Sequence, residues 1–181
     1  CEKYMGKYPV IAISLKGVDA DSYTKAKAQI IKIINREARR HRLLLKSEKL
    51  DSIDKELLTQ LLSRNMEEDT ITSSLQELTE LLEAHFSKKV VVLIDEYDVP
   101  LAKAYENGYY NEMVLLIRNL FGNVLKTNDS LAFAVLTGCL RIAKESIFTG
   151  LNNFKVYSIT NTEFDETFGF TNEEVRKMLV Y

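Results

Sequence analysis

The sequence predicts an α/β fold in which a parallel β-sheet is flanked by helices. Three observations support this prediction: short apolar runs rich in β-branched residues, amphipathic helical stretches between them, and a connection between two of the runs that is long enough for a crossover helix. Gly and Pro number 7 and 2 among 181 residues, which disfavours disordered and turn-dense all-β architectures. This length favours one domain spanning residues 1–181.

The predicted strands are runs of consecutive apolar residues. Tyr8–Leu15 lies near the start of the chain, and its apolar residues do not strictly alternate with polar ones, so both of its faces are expected to be covered. Val90–Ile94 and Leu131–Leu136 have the character of central parallel strands. A last short strand is predicted at Lys155–Ile159.

Three helices are predicted between the first and second strands, where apolar residues recur every three or four positions. Each begins after a residue that can cap a helix N-terminus: Asp21 or Ser22, Asp51 or Ser52, and Asp69 or Thr70. Their apolar stripes are Ala26, Ile30, Ile33, Ile34 and Ala38; Ile53, Leu57, Leu58, Leu61 and Leu62; and Ile71, Leu75, Leu78, Leu82 and Phe86. The first of these helices is expected to stop near His41 to Lys46.

Two more helices are predicted later in the chain. Tyr110–Lys126 carries an apolar stripe and connects the second and third strands. Thr171 or Asn172 opens a final helix, with Glu174 placed as in a capping box.

Charge and cysteine content limit the classes of partner. The formal net charge is −2, so no overall positive field favours nucleic acid or an anionic membrane. The two cysteines, Cys1 and Cys139, give neither a disulfide framework nor metal-ligand spacing, which fits a reducing cytosol. No apolar run approaches the roughly 18 to 20 residues that cross a bilayer. A cytoplasmic protein without a membrane partner is therefore expected.

The strand Val90–Ile94 runs directly into the acidic residues Asp95, Glu96 and Asp98. A hydrophobic strand that ends in Asp-Glu is the Walker B pattern of P-loop ATPases, in which the first acid holds the hydrated Mg²⁺ of a nucleotide. This pattern predicts that Asp95 binds the metal and that Glu96 is the general base. Asp98 is predicted to be a second acid that supports the cofactor site. The alternative is that the acids lie at a strand end because it meets solvent.

The strand Leu131–Leu136 delivers Thr137 and Gly138 to the same edge of the predicted sheet. A hydroxyl there can bind a γ-phosphate or the lytic water, as sensor 1 does in AAA-type ATPases, and Gly138 allows close backbone approach. Arg141 is a candidate catalytic cation and Lys144 a candidate cofactor-binding cation. Both could equally be ordinary surface cations.

Two other features are assigned no site. Residues 36–49 carry a local net charge of 6 − 2 = +4, which could contact phosphates but better fits a solvated helix end. His41 and His85 have no further ligand at metal-binding spacing.

Four segments together resemble the predicted AAA-ATPase-like family, whose members often precede a PD-(D/E)xK nuclease-like domain. The segments are YPVIAISL, VVVLIDEYDVPL, LTGCLRIAKESIFTGLNNF and FDETFGFTNEEV. The resemblance implies a three-layer P-loop-NTPase-like (ASCE/AAA-like) fold, with its core at residues 8–160 and the start of a lid at about 164–181. It also implies ATP and Mg²⁺ as cofactors, a homo-oligomer or a neighbouring domain as partner, and nucleic acid as a partner of the linked nuclease-like domain.

The chain departs from this family at the phosphate loop. No G-x-x-x-x-G-K-[ST] occurs in these residues, and Gly6-Lys7 precedes a strand instead of opening a helix. The sequence is therefore expected to lack the N-terminal phosphate-loop strand and helix, through a boundary or a natural loss. That loss should leave an open strand edge and an apolar slot in the sheet.

Three functions follow from these patterns. The first is the core of an ATPase that hydrolyses Mg-ATP in intact form, with this fragment inactive alone. The second is a non-catalytic AAA-like scaffold that uses the vacant slot for assembly. The third, which the motifs favour least, is a metal-dependent nuclease built on Asp95, Glu96 and Asp98.

Overall fold

The computed structural model of the protein describes residues 2–139, 155–158, 163 and 169–179. The chain divides into two compact units, Cys1–Leu151 and Asn152–Tyr181. The strands of the first unit are β1 (Val10–Ser14), β2 (Val90–Asp95) and β3 (Leu131–Leu136). Its α-helices are α1 (Tyr23–Arg40), α2 (Ser52–Leu61), α3 (Glu68–Phe86), α4 (Val99–Glu106) and α5 (Tyr110–Lys126). Short 3₁₀ helices span Glu2–Tyr4 and Arg42–Lys46, and helix α6 (Asn172–Leu179) belongs to the second unit.

The three strands form one parallel sheet in the order β1-β2-β3. Helices α1 to α3 connect β1 to β2, and α4 and α5 connect β2 to β3. Neighbouring parallel strands need such crossover connections, so the alternation of strands and helices along the chain is what a parallel sheet requires. The predicted α/β class, a parallel sheet flanked by helices, is confirmed.

One face of the sheet carries the core of the first unit. Ile11 and Ile13 of β1 and Val92 and Ile94 of β2 are all at most 5% exposed. Helix α1 packs against β1, α3 against β2, and α5 against β3. The buried stripes of these helices match the predicted spacing, which explains why the α/β class could be predicted from periodicity.

The opposite face of the sheet is apolar but exposed in the described part of the chain. Leu93 of β2 is 39% exposed, and its register partner Val135 and the nearby Phe133 of β3 are 38% and 62% exposed. The expectation that β3 is a central strand is wrong within the described residues, because β3 pairs there with β2 alone. Within the described residues, β3 therefore has one unpaired edge beside an exposed apolar face.

The β1 edge, in contrast, is protected by a buried carboxylate. Glu37 of α1 is 3% exposed, and its Oε1 accepts a 3.0 Å hydrogen bond from the backbone N–H of Ala12. Arg40 donates to Glu37 Oε2 at 2.9 Å, and His41 Nε2 lies 3.2 Å from Oε1. Burial alone would raise the pKa of Glu37, but the hydrogen bonds from His41, Ala12 and Arg40 outweigh it and hold the pKa below the usual range.

Replacing Glu37 with Gln should lower the free energy of unfolding at neutral pH by about 1–3 kcal/mol, because Ala12, Arg40 and His41 lose the buried charged acceptor that they share. The pKa of Glu37 is lower in the folded state than its ordinary value of 4.5, so its stabilisation is present above that pH and is lost as the pH falls through the folded value. Urea denaturation of both proteins should therefore show a difference at neutral pH that shrinks in acid. A difference that is constant across this range would contradict the assigned role of the carboxylate.

Several predicted boundaries are confirmed and others are corrected. Helix α2 begins with a capping box in which Asp51 accepts from the backbone N–H groups of Ile53 and Asp54, but Ile53 is exposed and lies outside the buried stripe. Helix α3 begins at Glu68, before the predicted Asp69 or Thr70, because Glu67 takes the extended N-cap position.

The predictions for the last part of the chain are partly testable. The predicted strand Lys155–Ile159 is wrong at 155–158, which have no strand pairing, and Ile159 lies outside the described residues. Thr171 and Glu174 form the predicted capping box, since each backbone N–H donates to the other side chain, at 2.8 and 3.3 Å. Across the described ranges, every helix is too short or too polar to span a lipid bilayer.

Candidate functional site

The carboxyl ends of the three strands bring Ser14, Asp95 and Thr137 side by side. Ser14 is the register partner of Asp95. Thr137 follows the pair Ile94–Leu136, and its backbone N–H donates to the carbonyl of Ile94 at 2.9 Å. The same register puts these polar side chains on the exposed face that carries Leu93 and Val135, because alternate residues of a strand face the same side.

Asp95 lies in the middle of this row, and each of its carboxylate oxygens accepts one hydroxyl hydrogen bond. Thr137 Oγ1 donates to Oδ1 at 2.5 Å, and Ser14 Oγ donates to Oδ2 at 3.1 Å. The Thr137 and Ser14 hydroxyls, in that order, lower the pKa of Asp95 below its usual value, so the exposed carboxylate is ionised at neutral pH. The structure thus brings together the predicted residues Asp95 and Thr137, and adds Ser14 to them.

The next residue, Glu96, has a strained backbone. Its φ of 53° lies in the left-handed region, which costs a non-glycine residue about 1–2 kcal/mol. The Glu96 side chain is 29% exposed, and its Oε1 lies 4.0 Å from Nζ of Lys16, which follows β1. Strained conformations of this kind cluster at functional sites, where the surrounding structure holds them in place.

Asp98 supports the site from the protein interior. It is 2% exposed, and its Oδ2 accepts a 3.1 Å hydrogen bond from the backbone N–H of Cys139, just beyond Thr137. Gly138 permits this contact: a Cβ added there would lie 2.7 Å from Asp98 Oδ1 and 2.7 Å from Cε1 of Tyr97. The carboxylate of Asp98 therefore binds the backbone just beyond Thr137 and stabilises the segment that carries this residue.

The remaining candidates are not tested by the described residues. Arg141 and Lys144 lie outside them, so their roles stay predictions. In the described part of the chain, no three His, Cys, Asp or Glu side chains converge as a metal-binding group.

Sequence reasoning missed Ser14 and Lys16. The predicted strand ran on to Leu15, whereas β1 ends at Ser14. The signal that could have revealed them is the polar Ser14 at an otherwise apolar strand end, beyond which ligands bind in parallel sheets.

The row of strand-end residues fits the Mg²⁺ of a bound nucleotide. Such an ion keeps several water molecules and needs one or two carboxylates besides the phosphates. An ionised carboxylate has about four lone-pair sites, so two hydroxyl bonds leave Asp95 acceptor capacity for metal-bound water. Asp95 supplies one such carboxylate at an exposed strand end.

Comparisons with known proteins agree with this geometry. The family described as Predicted AAA-ATPase matches residues 1–148. The chain is also similar to an "Uncharacterized protein in vnfD 5'region" of Azotobacter chroococcum mcd 1, with 32% identity over 100 residues. That similarity covers 55% of this chain and 19% of the relative, so the matched segment spans about a fifth of the relative's length. No solved structure matches the chain. Because the family match covers most of the chain and includes both Asp95 and Thr137, the chain belongs to the predicted AAA-ATPase-like family.

Proposed function

We propose that this chain forms the core of a P-loop-type ATPase that binds and hydrolyses Mg-ATP in its intact form. The single observation that carries the proposal is the row of Ser14, Asp95 and Thr137 at the carboxyl ends of three adjacent parallel strands. Ligands of open parallel sheets bind beyond these ends. The family match to residues 1–148 supports the same chemistry.

Each residue has a defined role in this proposal. Asp95 would hold the hydrated Mg²⁺ of the nucleotide, and the ion would supply positive charge that neutralises the phosphates. Glu96 would orient the attacking water and accept its proton as the bond from the water oxygen to the γ-phosphorus forms; the bond between the γ-phosphorus and the β–γ bridging oxygen breaks, and ADP leaves with that oxygen. When ATP binds, the Thr137 hydroxyl would bind a γ-phosphate oxygen or the lytic water in place of its hydrogen bond to Asp95.

The described residues supply only part of the expected nucleotide site. A phosphate loop cradles the β and γ phosphates with backbone N–H groups, and that motif does not occur in this sequence. The β3 edge, which is unpaired among the described residues, and the exposed face with Phe133 and Val135 offer a place for a further strand and its loop. We expect the intact ATPase to complete its site there, from an upstream segment or a partner copy.

ATP binding tests the proposal. The 181-residue chain should bind labelled ATP weakly, whereas the chain extended by the residues encoded upstream of Cys1 should bind it in the micromolar range when Mg²⁺ is present. The reason is that most of the groups that donate hydrogen bonds to the phosphates belong to the phosphate loop, whose motif the 181-residue chain does not contain. Equal micromolar binding by both chains would refute the proposal that a phosphate loop outside the 181-residue chain completes the site. No binding by either chain would refute the proposed ATPase function.

The open edge also favours a second candidate, a non-catalytic scaffold that uses the exposed face for assembly. Leu93, Phe133 and Val135 present apolar side chains of a kind that large interfaces bury. A scaffold does not need Glu96 as a base, so its biological function should survive Glu96→Gln. The nuclease alternative gains no support from the site, because Asp98 is buried and holds the backbone of Cys139 instead of joining Asp95.

A linked nuclease-like domain would bring nucleic acid as a partner, and a homo-oligomer would bring a second copy. Both are proposals that rest on the family resemblance. Analysis of the extended protein by sedimentation, with and without ATP and Mg²⁺, would show whether copies associate.

A further inference from the structure

The Ser14 hydroxyl is fixed from two sides. Its Oγ donates to Asp95 Oδ2 at 3.1 Å and accepts a 3.4 Å contact from the backbone N–H of Lys16. A serine hydroxyl has one proton to donate, and the Lys16 contact favours the rotamer in which that proton is directed at Asp95. Ser14 is exposed, so its side chain contributes little to the buried core.

The two hydroxyls beside Asp95 act on opposite ends of its carboxylate. The last side-chain torsion of an aspartate is broad and roughly two-fold, so a carboxylate held at one oxygen can still swing. Thr137 holds Oδ1 and Ser14 holds Oδ2, each from a neighbouring strand whose backbone register is set by the sheet. Together they fix the plane of the carboxylate.

This arrangement differs from what Thr137 alone would provide. In the proposed sensor role, the Thr137 hydroxyl binds a phosphate oxygen or a water in place of its hydrogen bond to Asp95 when ATP binds. At that moment Ser14 is the hydroxyl that still orients Asp95 toward the metal.

We propose that Ser14 is a positioning residue, which holds Oδ2 of Asp95 so that the remaining acceptor sites of the carboxylate face the hydrated Mg²⁺ of the nucleotide. The inference rests on the proposed ATPase function. Partners of this type, which orient a group that acts on a metal, commonly change metal affinity or activity by about 10–100-fold when they are removed.

The test uses Ser14→Ala, which removes the hydroxyl, and Ser14→Thr, which restores it on a side chain suited to a strand. Ser52→Ala is the matched control, because Ser52 is an exposed serine at the start of α2 with no part in the site. Each variant is made in the upstream-extended protein. Affinity for a fluorescent ATP analogue is then measured with Mg²⁺ and with EDTA, together with the thermal unfolding midpoint.

We expect Ser14→Ala to weaken binding in Mg²⁺ by about 10-fold and to leave binding in EDTA and the unfolding midpoint unchanged. Ser14→Thr should restore the Mg²⁺-dependent affinity, and Ser52→Ala should behave like the unaltered protein. A purely structural role would instead lower the midpoint, or weaken binding equally with and without metal, and either result would overturn the inference.

The two proposals fail in different ways. If the unaltered extended protein binds the analogue no better in Mg²⁺ than in EDTA, the proposed ATPase function fails and the role of Ser14 fails with it. If Mg²⁺ strengthens binding but Ser14→Ala retains full affinity, only the positioning role is wrong.

Discussion

Replacing Glu96 with Gln in the upstream-extended protein should reduce ATP turnover by about 10²–10⁴-fold while ATP still binds. Glutamine keeps the size of the side chain and can still contact water, but it cannot accept the proton of the attacking water. Glu96 directly follows Asp95 at the strand end, where its backbone takes the left-handed conformation and its side chain is partly exposed. Steady-state phosphate release and binding of labelled ATP measure the two effects separately.

The matched control for this variant is Glu56→Gln, because Glu56 is an exposed glutamate of α2 outside the site. It should leave turnover unchanged. If Glu96→Gln hydrolyses ATP at the unaltered rate, then Glu96 is not the general base. If that variant also retains its biological function, the scaffold becomes the better account of the chain.

The second large effect is expected at Gly138, and it can be measured in the 181-residue chain. In Gly138→Ala the new methyl group would meet Asp98 Oδ1 and the Tyr97 ring at 2.7 Å, far inside contact distance. Asp98 is buried and bonded to the backbone N–H of Cys139, so it cannot move without breaking that bond. Overpacking together with a disturbed buried hydrogen bond should lower the free energy of unfolding by about 1–3 kcal/mol.

Gly122→Ala is the control variant, and it is expected to raise the free energy of unfolding instead of lowering it. Gly122 lies inside helix α5, and a Cβ added there would meet no atom within 4 Å. Alanine favours a helix over glycine, so this variant should be more stable by about 0.5–1 kcal/mol. Urea denaturation compares the two variants directly. Equal stability of Gly138→Ala and the unaltered chain would show that the hydrogen bond between Asp98 and the backbone of Cys139 does not stabilise the strand end.

The elements that coincide with a continuous apolar run or a long apolar helical stripe could be predicted from the sequence. Strand β3 and helix α5 begin and end where the apolar runs indicated, and β2 extends one residue further, to Asp95. The eight-residue helix α4 was missed because its apolar stripe is short, although Pro100 in its first turn is a helix-start signal. Periodicity works best where a long stretch buries one face.

The candidate site was only partly predictable for a different reason. Asp95 and Thr137 stand out because they directly follow apolar runs, but the position of Ser14 opposite Asp95 depends on strand register. A shift of one residue would turn Ser14 to the other face, and register is set by the packing of the whole sheet. The role of Glu37 at the β1 edge was hidden for the same reason, since it depends on how α1 packs against β1.

In the proposed ATPase, the carboxylate of Asp95 faces the magnesium ion of a bound nucleotide. A crystal structure of the upstream-extended protein with Mg²⁺ and a non-hydrolysable ATP analogue would show whether it does. We predict a metal-bound water hydrogen-bonded to Asp95 between Ser14 and Thr137, with the terminal phosphate on the side of Glu96. A nucleotide bound away from the ends of β2 and β3, or a metal whose water molecules do not contact Asp95, would contradict the account.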